Sequence, residues 1–239
     1  MLINMRNAMM AGGKPTAKDY VQDGLIAMWD GIENAGWGVH DPNATVWKNL
    51  NESGPTLVRR SSPIAWLDNA LTITSANGDF GAFSVWSSGF ASSVKTVEVV
   101  ASFSATNNVQ CIFNIGTGIS AGVGISKTGF MSAAGKTPFT SAGNDKPQSG
   151  SWLFSGGMNS APVECYRNGI SSSTGSTAYM GVGGNYLTNA FVIGSLYNAS
   201  YRFVGKIHSI RLYSRALTTA EVAANYAIDK ARFNLPSAT

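Results

Sequence analysis

FVGKIHSIRLYSRALTTAEVAANYAIDKARF, residues 203–233, is the most ordered signal in the chain. Its first third, Val204 to Tyr213, carries Ile207, Ile210, Leu212 and Tyr213. Such β-branched and aromatic side chains suit the pleated, half-buried surface of a strand. A helix start follows. Thr218 is a capping residue, and Glu221 three positions on reaches back to the cap's own N–H, forming a capping box. Leu217 before the cap and Val222 after it supply the matching hydrophobic staple. Val222 and Tyr226 share one face at i, i+4 spacing, and Pro236 stops anything longer. The pattern predicts a strand and then a helix of about three turns laid against a sheet.

The chain has 239 residues, a length that suits one large β domain as well as two small ones. With 44% hydrophobic and only 13% charged residues, it has the means to bury a core. Many short apolar runs broken by Gly, Asn and Ser favour an all-β sandwich or barrel. The net charge of +4 comes from scattered lysines and arginines, with only Arg59 and Arg60 adjacent. A nucleic-acid surface needs a denser basic patch, so no nucleic-acid partner is expected. Cys111 and Cys165 belong to no C-x-x-C pair and fall at strand positions, where buried free thiols are the default. The start, MLINMRNAMMAGGKP, lacks an apolar run of signal-peptide length, and no stretch is long enough to span a bilayer. Neither export by a leader nor membrane insertion is expected.

Residues 1–20 read as an arm outside the core, with Met1, Met5, Met9 and Met10 offering an adaptable docking surface. Residues 21–239 read as the folded domain. Asp23 to Gly31 is the first core strand, and Thr45 to Trp47 begins a second. Leu71 to Thr74 is another. Lys95 to Phe103 alternates cleanly, with Val97, Val99 and Ala101 on one face and Thr96, Glu98, Val100 and Ser102 on the other. Val109 to Ile115, Val123 to Ile125, Ser151 to Met158 and Phe191 to Gly194 read as further strands, and Phe130 to Gly150 as loops around weak edge strands. Val163 to Ile170 is a hairpin, because Asn168-Gly169 is the favoured two-residue turn. About a dozen strands and one helix fit a two-sheet antiparallel jelly-roll sandwich.

Three pieces of the chain resemble the concanavalin A-like lectin/glucanase superfamily, in its laminin-G-like branch. They are DGLIAMWDG followed by VWKNL, the hairpin CYRNGI, and the closing FVIGSLYNASYRFVGKIHSIRLYSRALTTAEVAANY. The last is similar to the family's closing pattern G-x-I-x-x-[IV]-R-[LI]-Y-x-R-A-L-(S/T)-x-x-E. The resemblance implies a jelly roll that binds glycans or protein partners and often carries no catalysis.

Glycoside hydrolases on this fold place two carboxylates on one strand face as E-x-D-x-x-E. The five glutamates here are Glu33, Glu52, Glu98, Glu164 and Glu221, and none has an acidic neighbour at that spacing. Glu98 lies on a suitable strand but, standing alone, reads as a solvent-facing charge. Gly118 to Gly122 matches G-x-S-x-G without the strand–turn–helix that a nucleophile elbow requires. Gly129 to Thr137 has five residues between its glycines where a P-loop has four. No catalytic residue is therefore assigned, nor any cofactor or metal. For calcium, which some laminin-G-like domains bind, Asp30, Asp41, Asp68 and Asp79 are candidates by residue type only.

Sugar rings stack on aromatic faces flanked by hydrogen-bonding side chains. The candidate ligand-binding residues are Trp37 in the Gly-rich early loop and Tyr179, Tyr186, Tyr197 and Tyr201 in loop-rich sequence before Arg202. Two settings fit. In the first, the chain is a non-catalytic phage virion protein (fibre, head decoration or tail component), assembled in the host cytoplasm. It would be homo-oligomeric, docked to other virion proteins by its N-terminal arm, and would present the domain to a host surface glycan. The alternative is a carbohydrate-binding or adhesion module at a bacterial cell surface.

Overall fold

The computed structural model describes residues 13–51, 54, 56–59, 65–74, 82–85, 94–103, 110–115, 122–126, 129–132, 136–140, 149–155, 164–171, 190–194 and 203–235. In chain order the strands are β1 (Leu25–Asp30), β2 (Val46–Trp47), β3 (Leu57–Arg59), β4 (Ala65–Leu67), β5 (Ala70–Ile73), β6 (Ala82–Val85), β7 (Thr96–Phe103) and β8 (Gln110–Ile115). They continue with β9 (Gly122–Ser126), β10 (Gly129–Ser132), β11 (Lys136–Thr140), β12 (Ser149–Ser155), β13 (Glu164–Arg167), β14 (Ile170–Ser171), β15 (Ala190–Ile193) and β16 (Gly205–Tyr213). One α-helix, α1 (Thr219–Phe233), closes the described chain, and a 3-10 turn at Ala17–Asp19 opens it. Among the described residues no helix is long and apolar enough to cross a membrane.

The strands form two antiparallel sheets. One runs β14-β13-β12-β7-β16-β5-β4 with β1 also paired to β16, and the other runs β11-β10-β9-β8-β15-β6-β3-β2. The chain is thus mostly β with a C-terminal helix. Strands beyond the expected dozen include β3, β4 and β6, three or four residues each, whose neighbours supply the pairing that their own patterns do not announce. Asn168 and Gly169 form the predicted hairpin turn, with φ of 51° and 78°. Asp68 and Asn69, at 53° and 57°, build an equivalent turn between β4 and β5 that sequence patterning does not flag. Gly31 lets β1 end against this second turn, since a Cβ there would lie 2.2 Å from the Asn69 carbonyl oxygen.

β16 is the spine of its sheet. Its whole length pairs with β7; its other edge pairs first with β5, over Gly205–Ile207, and then with β1, over Ser209–Tyr213. The register against β7 shifts between Ile207 and Ser209, a bulge at His208. The bulge explains why Ile207 and Ile210 stand three apart although both are buried in the strand. The alternation predicted for β7 is observed. Val97, Val99 and Ala101 lie with Ile207, Ile210 and Leu212 on one buried face. Thr96, Glu98, Val100 and Ser102 lie with Tyr213, Arg211, Ser209 and Lys206 on the other, together with the bulged His208, and α1 crosses that face.

α1 runs 15 residues, about four turns, one more than predicted. Its cap is the expected capping box: Glu221 N–H donates to Thr218 Oγ1 at 3.3 Å, and Thr218 N–H donates to Glu221 Oε2 at 2.8 Å. Leu217 and Val222, the staple pair, are buried in one cluster. The helix ends at Asn234, whose φ of 51° lets its N–H close back on the Lys230 carbonyl. Its first turn meets β13, where Tyr166 Oη is 3.3 Å from Thr219 Oγ1. Its last turn reaches β16, where the His208 and Phe233 rings sit 5.3 Å apart.

The N-terminal boundary needs correction. Ala17 and Tyr20, expected in an arm outside the core, are both buried in a cluster with Leu25, Met28, Tyr213 and Leu217. A capping box between Thr16 and Asp19 fixes the 3-10 turn, and Asn225 of α1 accepts the Val21 N–H at 3.0 Å. Two backbone devices thus dock a segment whose polar composition resembles a tail. Met1, Met5, Met9 and Met10 lie outside the described residues.

Candidate functional site

The face shared by β7, β16 and α1 encloses a set of charges around Arg211. Arg211 Nε donates to Glu98 Oε2 at 2.7 Å, Nη2 to Asp229 Oδ2 at 2.8 Å and Nη1 to Ser209 Oγ at 3.2 Å. Its guanidinium carbon lies 3.9 Å from the centre of the Tyr20 ring, and Tyr20 Oη donates to Asp229 Oδ1 at 2.7 Å. Asn225 Nδ2 donates both to Glu98 Oε2 at 2.8 Å and to Tyr213 Oη at 3.0 Å. Glu98 is therefore not the solvent-facing charge expected from sequence. It is 2% exposed, because α1 roofs its face of β7 and Arg211 supplies the counter-charge that makes burial tolerable.

The electrostatics follow from this enclosure. Burial lifts the Glu98 carboxyl above its ordinary range against the pull of Arg211. Burial likewise raises the Tyr20 and Tyr213 hydroxyls. Asp229 and Glu98 together hold Arg211 charged against the cost of its own burial. A second, smaller set lies beside it: Arg232 Nη2 is 2.9 Å from Asp30 Oδ2 and 3.3 Å from Glu33 Oε1. The Asp30 contact is an ion pair out of line for a hydrogen bond. Glu33 also accepts the Ala17 and Gly38 N–H groups at 3.3 and 2.8 Å.

These networks hold the closing segment together. Arg215 grips Glu221 through two nitrogens at 2.9 and 2.6 Å and reaches Asp23 at 2.8 Å. Those bonds pull the Glu221 carboxyl down to about 2. Of the closing pattern, Arg211 and Tyr213 bond from the strand to the helix, Arg215 bonds from the connection to Glu221, Leu217 packs with Val222, and Thr218 and Glu221 cap the helix start.

Of the predicted ligand residues, Trp37 is half-buried against the cluster of Ala17 and Tyr20, and Lys18 Nζ stands 5.4 Å from its ring centre. Tyr179, Tyr186, Tyr197 and Tyr201 lie outside the described residues, as do the side chains of Cys111 and Cys165. The calcium candidates do not converge. Asp30 is buried on Arg232, the Asp41 carboxylate accepts the Asn43 N–H in its own loop, and Asp68 pairs with Lys206. Asp79 is outside the described residues. Among the described residues no group of three or more His, Cys, Asp or Glu side chains is placed to hold a metal ion.

A feature that sequence reasoning missed lies where α1 ends over the first half of β16. A cavity of about 530 Å³ opens there, with Thr74, Ser102, Lys206, His208, Phe233 and Asn234 among its lining residues. His208 Nε2 is 3.1 Å from Ser102 Oγ, and burial and nearby Lys206 pull the imidazole down to about 4, so it is neutral at pH 7. The irregular Ile207–Ile210 spacing is the available sequence signal, since the bulge it marks brings Lys206 and His208 to the helix side.

Comparison with solved structures returns the same architecture. A Trypanosoma rangeli sialidase in complex with sialic acid matches over 91% of this chain and 34% of its own, at 14% identity and a TM-score of 0.59. The chain thus spans about a third of the length of the sialidases it matches. Domain 4 of an extracellular arabinanase from Geobacillus stearothermophilus, in complex with arabinotriose, matches over 85% of this chain and 98% of its own, at 16% identity and a TM-score of 0.57. No curated protein sequence matches. None of these similarities supports the phage setting expected above. Their likeness to this chain is one of fold. The Laminin_G_3 family model covers residues 68–223, taking in the CYRNGI hairpin, Arg211 and the capped start of α1, and the chain belongs to that family of the concanavalin A-like lectin/glucanases superfamily.

Proposed function

We propose that the chain is a carbohydrate-binding module without catalytic activity, its two sheets facing each other as a jelly-roll sandwich. The observation that carries this reading is the whole-domain match to the arabinanase domain in complex with arabinotriose, 98% of which is covered. That domain is one of several in its arabinanase, and the sialidases are matched over about a third of their length, which accords with a module carried on a larger chain.

Among the described residues, the carboxylates support the absence of catalysis. Glycoside hydrolysis needs two carboxyl groups flanking the scissile bond, about 5–9.5 Å apart and open to substrate. Glu98 and Asp229 do approach one another, but they do so across Arg211, beneath α1 and Tyr20, where no sugar enters. Binding then rests on aromatic stacking and on hydrogen bonds to hydroxyls.

The test is an oligosaccharide array followed by product analysis on the bound sugars. Reversible binding with every sugar recovered intact is expected. An array without hits would overturn the binding role, and hydrolysis products would overturn the non-catalytic one.

A further inference from the structure

The geometry points to the cavity between the end of α1 and the first half of β16 as the site that takes a neutral sugar residue. This inference rests on the carbohydrate-binding reading and adds a place and a charge class to it.

The cavity has the makings of a small-molecule site. Its volume of about 530 Å³ falls within the range of pockets that enclose such ligands. It combines one aromatic ring, Phe233, with hydroxyls of Thr74 and Ser102, the Asn234 side chain, the His208 imidazole and the Lys206 ammonium. That mixture of donors, acceptors and a ring face is what a polyhydroxyl ring needs. His208 forms part of the wall. It is 91% buried, as its 9% exposure shows, and its Nε2 meets Ser102, while Nδ1 is closed off from solvent.

The charge balance selects neutral sugars over acidic ones. Lys206 is already paired with Asp68 at the mouth, so its charge is compensated. His208 is neutral at pH 7. No carboxylate lines the cavity among the described residues. The last residues of α1, Phe233 and the cap Asn234, also line it, which places the helix C-terminus there. The partial negative charge of that terminus opposes an anion. A sialylated sugar therefore meets a worse environment than an uncharged pentose or hexose.

The chain contains only two histidines, His40 and His208, so ring resonances of histidine-labelled protein report the site directly. The full chain is titrated with arabinotriose, with a panel of neutral hexose and pentose oligosaccharides, and with sialyllactose. Neutral sugars are expected to shift His208 and leave His40 in place. Asn234→Gly, which keeps the left-handed backbone, and Thr74→Trp, which fills the exposed rim, are each expected to weaken binding at least about tenfold. Sialyllactose should bind at least about tenfold more weakly than the best neutral sugar. Binding with His208 unmoved and both variants at wild-type affinity would overturn the site while leaving the carbohydrate-binding reading intact. Preference for sialyllactose would overturn the charge assignment. Failure of every sugar to bind would overturn the site and the function together.

Discussion

Strand β16 carries two cations five residues apart, Lys206 and Arg211, and the chain treats them in opposite ways. Arg211 is fully enclosed, tied to Glu98, Asp229 and Ser209 and roofed by Tyr20. Lys206 stands at the mouth of a cavity, paired with Asp68, which is 79% exposed. The helix makes the difference, since α1 lies over the second half of the strand and stops at the first. Residues under the helix need fixed partners and so leave a strong pattern in the sequence. Residues at the open end answer to solvent or a ligand and leave little pattern.

The sharpest way to break this contrast is to neutralise each cation in turn. Arg211→Met would strand two buried carboxylates, and a loss of about 3–5 kcal/mol is expected in urea unfolding. Lys206→Met removes an exposed pair and should cost no more than about 1 kcal/mol. Equal losses would mean that the two halves do not differ as described.

A second test uses pH where the halves meet. His208 is held at about 4 by burial, with Lys206 lowering it further and Asp229 and Asp68 pulling the other way. Its ordinary value is about 6.5, so the unfolded chain takes up the proton first as pH falls. The stability it contributes is complete above about pH 6.5 and is lost progressively down to about pH 4. The total is on the order of 3 kcal/mol, at roughly 1.4 kcal/mol per unit. Chemical denaturation at pH 7 and pH 4.5 measures it, and His208→Gln should flatten that slope. Glu221, depressed to about 2, contributes stability that fails only below about pH 4.5, so the two windows separate.

Smaller effects are expected where α1 is positioned. Gly169→Ala meets a φ of 78° and puts a Cβ 2.9 Å from the Tyr226 ring. Left-handed backbone alone costs a non-glycine residue about 1–2 kcal/mol, and the melting temperature should fall accordingly. Thr218→Ala removes one capping acceptor and should cost about 1 kcal/mol by the same melt.

The covered half was legible in the sequence for a physical reason. A capping box, a staple and an Asn-Gly turn are local devices whose partners lie within a few residues, and all three occur as predicted. The hidden features depend on partners far along the chain. Glu98 finds Arg211 113 positions away, and Tyr20 finds Asp229 209 positions away, so neither burial shows in a local window. The cavity is legible only through the bulge at His208, which displaces a single residue from the strand's period. Trp37 is a candidate by residue type alone, and it packs partly on the core beside Lys18.

The central claim is that the covered half of β16 builds the fold and the open half binds. It is tested most directly by melting the wild-type chain and Lys206→Met with and without the tightest neutral oligosaccharide found on the array. At a sugar concentration about a hundredfold above Kd, the wild-type Tm should rise by roughly 5 °C or more. Lys206→Met should melt close to the wild type without sugar and lose most of that rise. A variant that melts far lower alone yet keeps the full rise would contradict the account.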